Sequence, residues 1–237
     1  MSNPTAPTPA PDALAEQAEK GQTAEKGTTT ETAAAAEKAQ PSPRKPRRMW
    51  DSQSLALVSV FAALIAASAI VPGIPVGGLG VPITLQTFAI MLTGLVLGGS
   101  RAVAAVALYL TLAFAGLPIF SGGRAGLQVM ATGSGGYIIG FIVAALLVGI
   151  AAEQIIKRLP AKRRGLWFFL AAVVVTVVAS HALGVLGMMV NLKLSWEAAF
   201  LADLVFYPGD ILKDAVAAVA AVAVHRAFPD VLVRRVK

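Results

Sequence analysis

One helical turn inside an otherwise apolar stretch, FYPGDILKDAVAAVAAVAV at 206–224, carries Asp210, Lys213 and Asp214. A carboxylate or ammonium at mid-bilayer costs about 2.5–3.5 kcal/mol on the insertion scale, so such groups turn into the protein, pair, and serve a ligand or an ion. Asp210 and Lys213 stand at i and i+3 and share a face. Two uses fit them: mutual neutralisation that docks the helix, or hydrogen bonding to a polar ligand. Asp214 points to a neighbouring face and reads as their structural neighbour. Pro208 and Gly209, just before them, are expected to interrupt the helix and free backbone N–H groups.

Other polar residues recur beside glycine. Arg124 lies in GLPIFSGGRAG, 116–126, where small neighbours let a ligand carboxylate approach for bidentate capture. A solvated loop arginine is the plainer reading. In ATGSGGYIIGF, 131–141, Gly136 and Tyr137 suit either close helix packing beside an interfacial tyrosine or the lining of a ligand site. VPITLQTF, 81–88, supplies Thr84, Gln86 and Thr87 as neutral hydrogen-bonders. Ala62, Ala63, Ala66 and Ala67 form two overlapping small-xxx-small pairs that permit a close helix contact.

Several chemistries are excluded. The chain has no cysteine, and its two histidines, His181 and His225, are too far apart for a histidine-rich metal cluster, so neither a metal nor a resident cofactor is expected. No G-x-x-x-x-G-K-[ST] occurs, so ATP hydrolysis through a P-loop is absent. Ser134 between glycines, with His181, poses an intramembrane serine protease as an enzyme alternative, but TGSGG lacks the leading glycine of a G-x-S-x-G elbow. The net charge of +7 does not imply nucleic acid, because the basic residues flank apolar runs instead of alternating with aromatics.

The elements that must position these residues are membrane helices. Of the 237 residues 56% are hydrophobic and 14% charged, and the mean hydropathy is +0.70. Apolar runs cover 55–71, 83–98, 102–117, 135–156, 166–190 and 206–225. A helix needs about 20 residues to cross a ~30 Å hydrocarbon core, so most of these suffice and the shorter ones need flanking sequence. Their Ala, Leu and Val content lacks period-2 alternation, which speaks against a barrel. The expected fold is an all-α membrane protein of six transmembrane helices. Basic residues cluster before the first run (Arg44, Lys45, Arg47, Arg48), between the fourth and fifth (KRLPAKRR) and after the sixth. That side is expected to be cytoplasmic, with both termini inside and connections 72–82, 118–134 and 191–205 external. Residues 1–48, rich in Ala, Pro, Thr, Glu and Lys, read as a disordered cytoplasmic tail preceding a transmembrane domain over 49–237. The tail ends in PRKPRR, which suits an anionic lipid surface.

Taken together, VPITLQTFAIMLTGLVLGG, LAFAGLPIFSGGRAG, GSGGYIIGF and YPGDILKDAVAA resemble BioY, the biotin-binding S component of energy-coupling factor (ECF) transporters, over about 55–226. The resemblance implies a six-helix bundle in the bacterial cell membrane. It would capture biotin externally and deliver it with a transmembrane T component and two cytoplasmic ATPases. Carried over, the family's last-helix Asp and Lys match Asp210 and Lys213, and its loop polar residue falls near Arg124. Its T-component motif matches Ala62, Ala63, Ala66 and Ala67. Under this reading Asp210 accepts from the ureido N–H groups, Lys213 and Arg124 share the ureido carbonyl and the carboxylate, and Tyr137 covers the ring. Rival readings are an S component for thiamine or riboflavin, a secondary transporter, or the protease.

Overall fold

The computed structural model describes residues 50–76 and 80–236; the tail expected over 1–48 lies outside the described residues. Asp51 opens the bundle: its Oδ1 accepts from the Ser54 N–H at 2.8 Å and caps α1, Ser52–Ile70. There follow α2 (Gln86–Leu97), α3 (Gly99–Phe114), α4 (Gly135–Arg158) and α5 (Ala161–Leu192). A short α6 (Trp196–Asp203), then α7 (Tyr207–Ala227) and α8 (Val233–Val236), complete the order. Among the described residues no strand forms; the connections hold only the isolated bridges Ile74–Ile83 and Phe120–Arg124.

The fold is all-α, and its six long helices coincide with the six apolar runs to within a few residues. Three of them, Ser52–Ile70, Gly135–Arg158 and Ala161–Leu192, are long and apolar enough to cross a membrane, whereas α2 and α3 are shorter apolar helices. With 21 residues α7 has the length, but it carries the charged turn. Leu170, Val174 and Val178 on α5, like Leu212, Val216 and Val219 on α7, are exposed at helical spacing. Such continuous outward apolar faces match lipid chains.

The innermost helix is α2, buried without a break from Ala89 to Leu97 and packed on α1, α3, α4 and α7. Its 12 residues reach only about 18 Å at ~1.5 Å per residue. Where it falls short, the preceding segment crosses its N-terminal end and leaves a hollow. At its other end Gly98, at φ +81°, turns the chain directly into α3. A Cβ on Gly149 would lie 2.6 Å from the Gly98 carbonyl carbon, so α4 and this turn meet backbone to backbone.

Two local features of α5 and α7 shape the site. Over Thr176–His181 α5 widens into a π-helical turn. Pro208 does not interrupt α7, as the sequence led one to expect, but sits in its first turn. There its missing N–H leaves no bond unmade and its fixed φ suits the helix. Asp210 therefore also lies in a first turn, where the helix dipole favours a carboxylate.

The basic residues at the opposite end of the bundle act structurally. Buried Arg164 donates from Nε to the Leu159 carbonyl at 3.2 Å and from a terminal nitrogen to Ile156 at 3.4 Å, satisfying carbonyls that end α4. Buried Arg101 donates to the Val231 carbonyl at 2.6 Å and ties the C-terminal segment to α3. His225 Nε2 meets the Leu95 carbonyl at 2.9 Å.

Candidate functional site

The hollow over the N-terminal end of α2 holds about 580 Å³ of non-atom space, the open solvent at its mouth included. Thr84 and Gln86 reach it from the start of α2, Arg124 and Ser134 from the connection before α4, Tyr137 from α4, and Asp210 and Lys213 from α7. Apolar walls come from Val81, Pro82, Phe120, Ile138, Phe141 and Phe206. The sequence's six polar candidates thus meet in one cavity, although up to 129 residues separate them, from Thr84 to Lys213.

The charged wall is tightly bonded. Asp210 Oδ1 accepts from Thr87 Oγ1 at 2.7 Å and from Lys213 Nζ at 2.7 Å. Lys213 also donates to Thr87 Oγ1 at 3.3 Å. Pairing on the same helix and ligand contact are thus compatible. A carboxylate offers about four lone-pair sites and an ammonium three donors. Asp210 Oδ2 keeps acceptor capacity beside its contact with His181, and Lys213 keeps one N–H.

Elsewhere in the lining, Arg124 is held by neutral oxygens only. Its Nε donates to the Ser121 carbonyl at 2.9 Å, and its terminal nitrogens reach Thr132 Oγ1 at 3.4 Å and Ser134 Oγ at 3.2 Å. Among the described residues no carboxylate pairs with it, so its charge is free for an anion. Three of its five N–H donors are engaged and two remain. Between them, Gln86 donates from Nε2 to Tyr109 Oη at 3.0 Å and its Oε1 accepts from Thr84 at 3.3 Å. Tyr109 in turn donates to the Ile119 carbonyl at 3.2 Å, which fixes the amide's orientation.

Behind Asp210 lies a second layer that sequence reasoning missed. His181 Nε2 is 3.4 Å from Asp210 Oδ2, and its Nδ1 is 2.8 Å from Asp203 Oδ1. Asp203 also accepts from the Tyr137 hydroxyl, so Tyr137 bridges cavity and interior. The Tyr207 ring stacks on His181 at 4.2 Å. This occupancy dissolves the protease dyad: His181 is engaged by two carboxylates, and Ser134 by Arg124 and, at 3.4 Å, the Gly80 carbonyl.

Gly136, the structural neighbour Asp214 and the α1 alanines stand elsewhere. Gly136 is not on the cavity wall; a Cβ there would lie 2.0 Å from the Leu183 carbonyl oxygen and 2.8 Å from Gly187 Cα, so its place is the α4–α5 contact. Asp214 is buried off the cavity, and among the described residues its oxygens have no hydrogen-bond partner. The alanines of α1 do not share one face: Ala62 is buried in the bundle and Ala66 half-buried, whereas Ala63 and Ala67 are exposed. Ala56 and Ser59 extend the exposed pair into an outward stripe of small residues.

The BioY family model matches residues 40–230. The chain is 36% identical over 182 residues to "Biotin transporter BioY" of Rhizobium etli, covering 75% of this chain and 96% of that one. It is 35% identical over 192 residues to the protein of the same name from Rhodobacter capsulatus, covering 77% and 98%. A solved structure, the S-component for biotin from an ECF-type ABC transporter, superposes with a TM-score of 0.69 at 26% identity, covering 73% of this chain and 91% of that one.

Proposed function

We infer biotin capture from the premise that this chain belongs to the BioY family. It is a multi-pass bacterial membrane protein and a transport subunit for biotin uptake, not an enzyme. The observation that carries the ligand assignment is the cavity's charge and valence. Asp210 is a buried acceptor already paired with Lys213, while Arg124 in the same lining adds a positive charge that no described carboxylate pairs. A ligand with N–H donors at one end and a carboxylate at the other satisfies both walls.

Biotin has that form. Its ureido N–H groups donate to Asp210, and its carbonyl, flanked by those N–H groups, accepts from the adjacent Lys213. Its carboxylate takes the two remaining Arg124 donors, and its thioether ring lies among Phe120, Phe141, Phe206 and Tyr137. Gln86 and Thr84 line the space between. The net positive wall disfavours thiamine, whose fixed cationic ring would face Arg124, and the neutral ring system of riboflavin offers Arg124 no carboxylate.

Biotin is the transported substrate, and no cofactor is part of this scheme. The site end of the bundle faces outward and the basic end the cytoplasm, where anionic lipid meets the arginines. Delivery inward depends on a T component and two ATPase subunits, because the sequence carries no P-loop to couple ATP hydrolysis to transport. The outward stripe Ala56, Ser59, Ala63 and Ala67 is the surface for close contact with the T component's helices.

The test is calorimetric titration of the detergent-purified full chain with biotin, thiamine and riboflavin in turn. Saturable one-to-one binding of biotin alone is expected; binding of either other vitamin, or none, overturns the assignment.

A further inference from the structure

We infer that His181 is the positioning residue of this site, an imidazolium clamped between Asp203 and Asp210 that fixes the Asp210 carboxylate on the cavity wall. The inference rests on three aspects of its setting.

The first is backbone. The π-helical turn Thr176–His181 ends on this histidine. Such a turn inserts one residue into an α-helix and re-aims the side chains that follow, and it occurs mostly at functional sites. Here it turns a residue of a membrane-crossing helix into the bundle interior, where only 2% of His181 is exposed.

The second is hydrogen-bond valence. Ring nitrogen Nδ1 faces Asp203 Oδ1 at 2.8 Å and Nε2 faces Asp210 Oδ2 at 3.4 Å. Ionised carboxylates only accept, and a neutral imidazole carries one N–H. Asp210 is ionised, since its Oδ1 accepts from both Lys213 and Thr87. With Asp203 ionised as well, a neutral ring would aim a lone pair at one of the two carboxylates. Only the doubly protonated ring presents an N–H to both, as a hydrogen bond to Asp203 and as an ion-pair contact to Asp210.

The third is charge. The groups facing His181 are Asp203 from α6, Asp210, Lys213, Asp214 and Tyr207 from α7, and Tyr137, through Asp203, from α4. Lys213 alone cannot balance Asp203 and Asp210, both buried. With the imidazolium the inner four-group set of Asp203, His181, Asp210 and Lys213 is neutral, and Arg124 is left as the charge that an anionic ligand answers. His181 does not line the cavity, so it acts through Asp210.

Two measurements on the full chain test this. With histidine labelled by 15N, long-range proton–nitrogen correlation reads the protonation of each ring nitrogen. The chain has only two histidines, so loss of one signal set in His181→Gln gives the assignment. Protons on both His181 nitrogens at neutral pH are expected; one bare nitrogen overturns the clamp. In biotin titrations His181→Gln should raise Kd by about tenfold or more, close to 1.4 kcal/mol. Adding Asp203→Asn should recover part of that loss, because it removes the carboxylate left uncompensated. Affinity unchanged in His181→Gln, or no recovery in the double variant, overturns positioning by charge. The inference builds on the biotin reading, yet the two fail separately: wild-type protein that ignores biotin sinks that reading, while the nitrogen spectrum still decides the clamp. Should His181→Gln not fold, the wild-type spectrum, assigned through His225→Gln, decides it.

Discussion

Replacing Asp210 by Asn keeps the side chain's size and removes its charge. In the native site Oδ1 accepts from Thr87 and Lys213, both at 2.7 Å, and Oδ2 lies 3.4 Å from His181 Nε2. An asparagine has one acceptor oxygen and an NH2 that only donates. If its oxygen stays with Lys213 and Thr87, the NH2 points at His181 and at the ureido N–H groups, donor against donor. The lost charge-assisted bond to biotin is worth about 1.5–3 kcal/mol, or roughly 10- to 150-fold in Kd. Lys213, 13% exposed at its side chain, also loses its counter-charge, which moves the expectation to the upper part of that range. Titration calorimetry on detergent-purified variants measures this directly. Asp214→Asn is the matched control, one turn further on and off the cavity wall, and its Kd should stay within about threefold of wild type. Equal affinities for Asp210→Asn and wild type would refute the assignment of Asp210 as the ureido acceptor.

Three further outcomes follow from the same geometry. Arg124→Gln should weaken biotin by about 10- to 100-fold but biotinamide, which lacks the carboxylate charge, far less; parallel losses for both ligands would remove Arg124 from the carboxylate. Gly136→Ala places a methyl 2.0 Å from the Leu183 carbonyl oxygen and should cost about 1–3 kcal/mol of stability. Its thermal unfolding midpoint should fall clearly, while Gly209→Ala, with nothing within 4 Å of the added carbon, stays near wild type. Ala63→Trp on the exposed stripe of α1 should leave biotin binding intact and abolish uptake in cells that express the T component and ATPases; normal uptake would move the partner surface elsewhere.

The parts of the fold visible in the sequence were those set by solvent. Lipid forces long apolar helices, so six runs announced six helices, and the expense of an intramembrane charge made Asp210 and Lys213 conspicuous. Arg124, Tyr137, Gln86 and Thr84 were found through composition near helix ends, and their convergence could not be. It depends on α2 stopping after 12 residues, which leaves the room they share. Gly136 illustrates the limit: glycine beside a candidate site serves ligand approach and helix approach equally well in sequence, and only the Gly187 backbone opposite decides.

The second layer was hidden for a different reason. A π-helical turn is one residue of extra winding and has no compositional mark, so in the sequence His181 had no partner to suggest beyond Ser134. Asp203 closes α6, a helix of 8 residues in a connection where an acidic residue ordinarily meets water. Neither is legible without the other, because each is tolerable in the interior only once paired. The alanines of α1 divide on the same principle of context. Identical side chains face inward at Ala62 and outward at Ala63 and Ala67, since successive residues turn about 100° around the helix. A four-alanine motif therefore holds two surfaces, one that seats α1 in its own bundle and one that faces away from it.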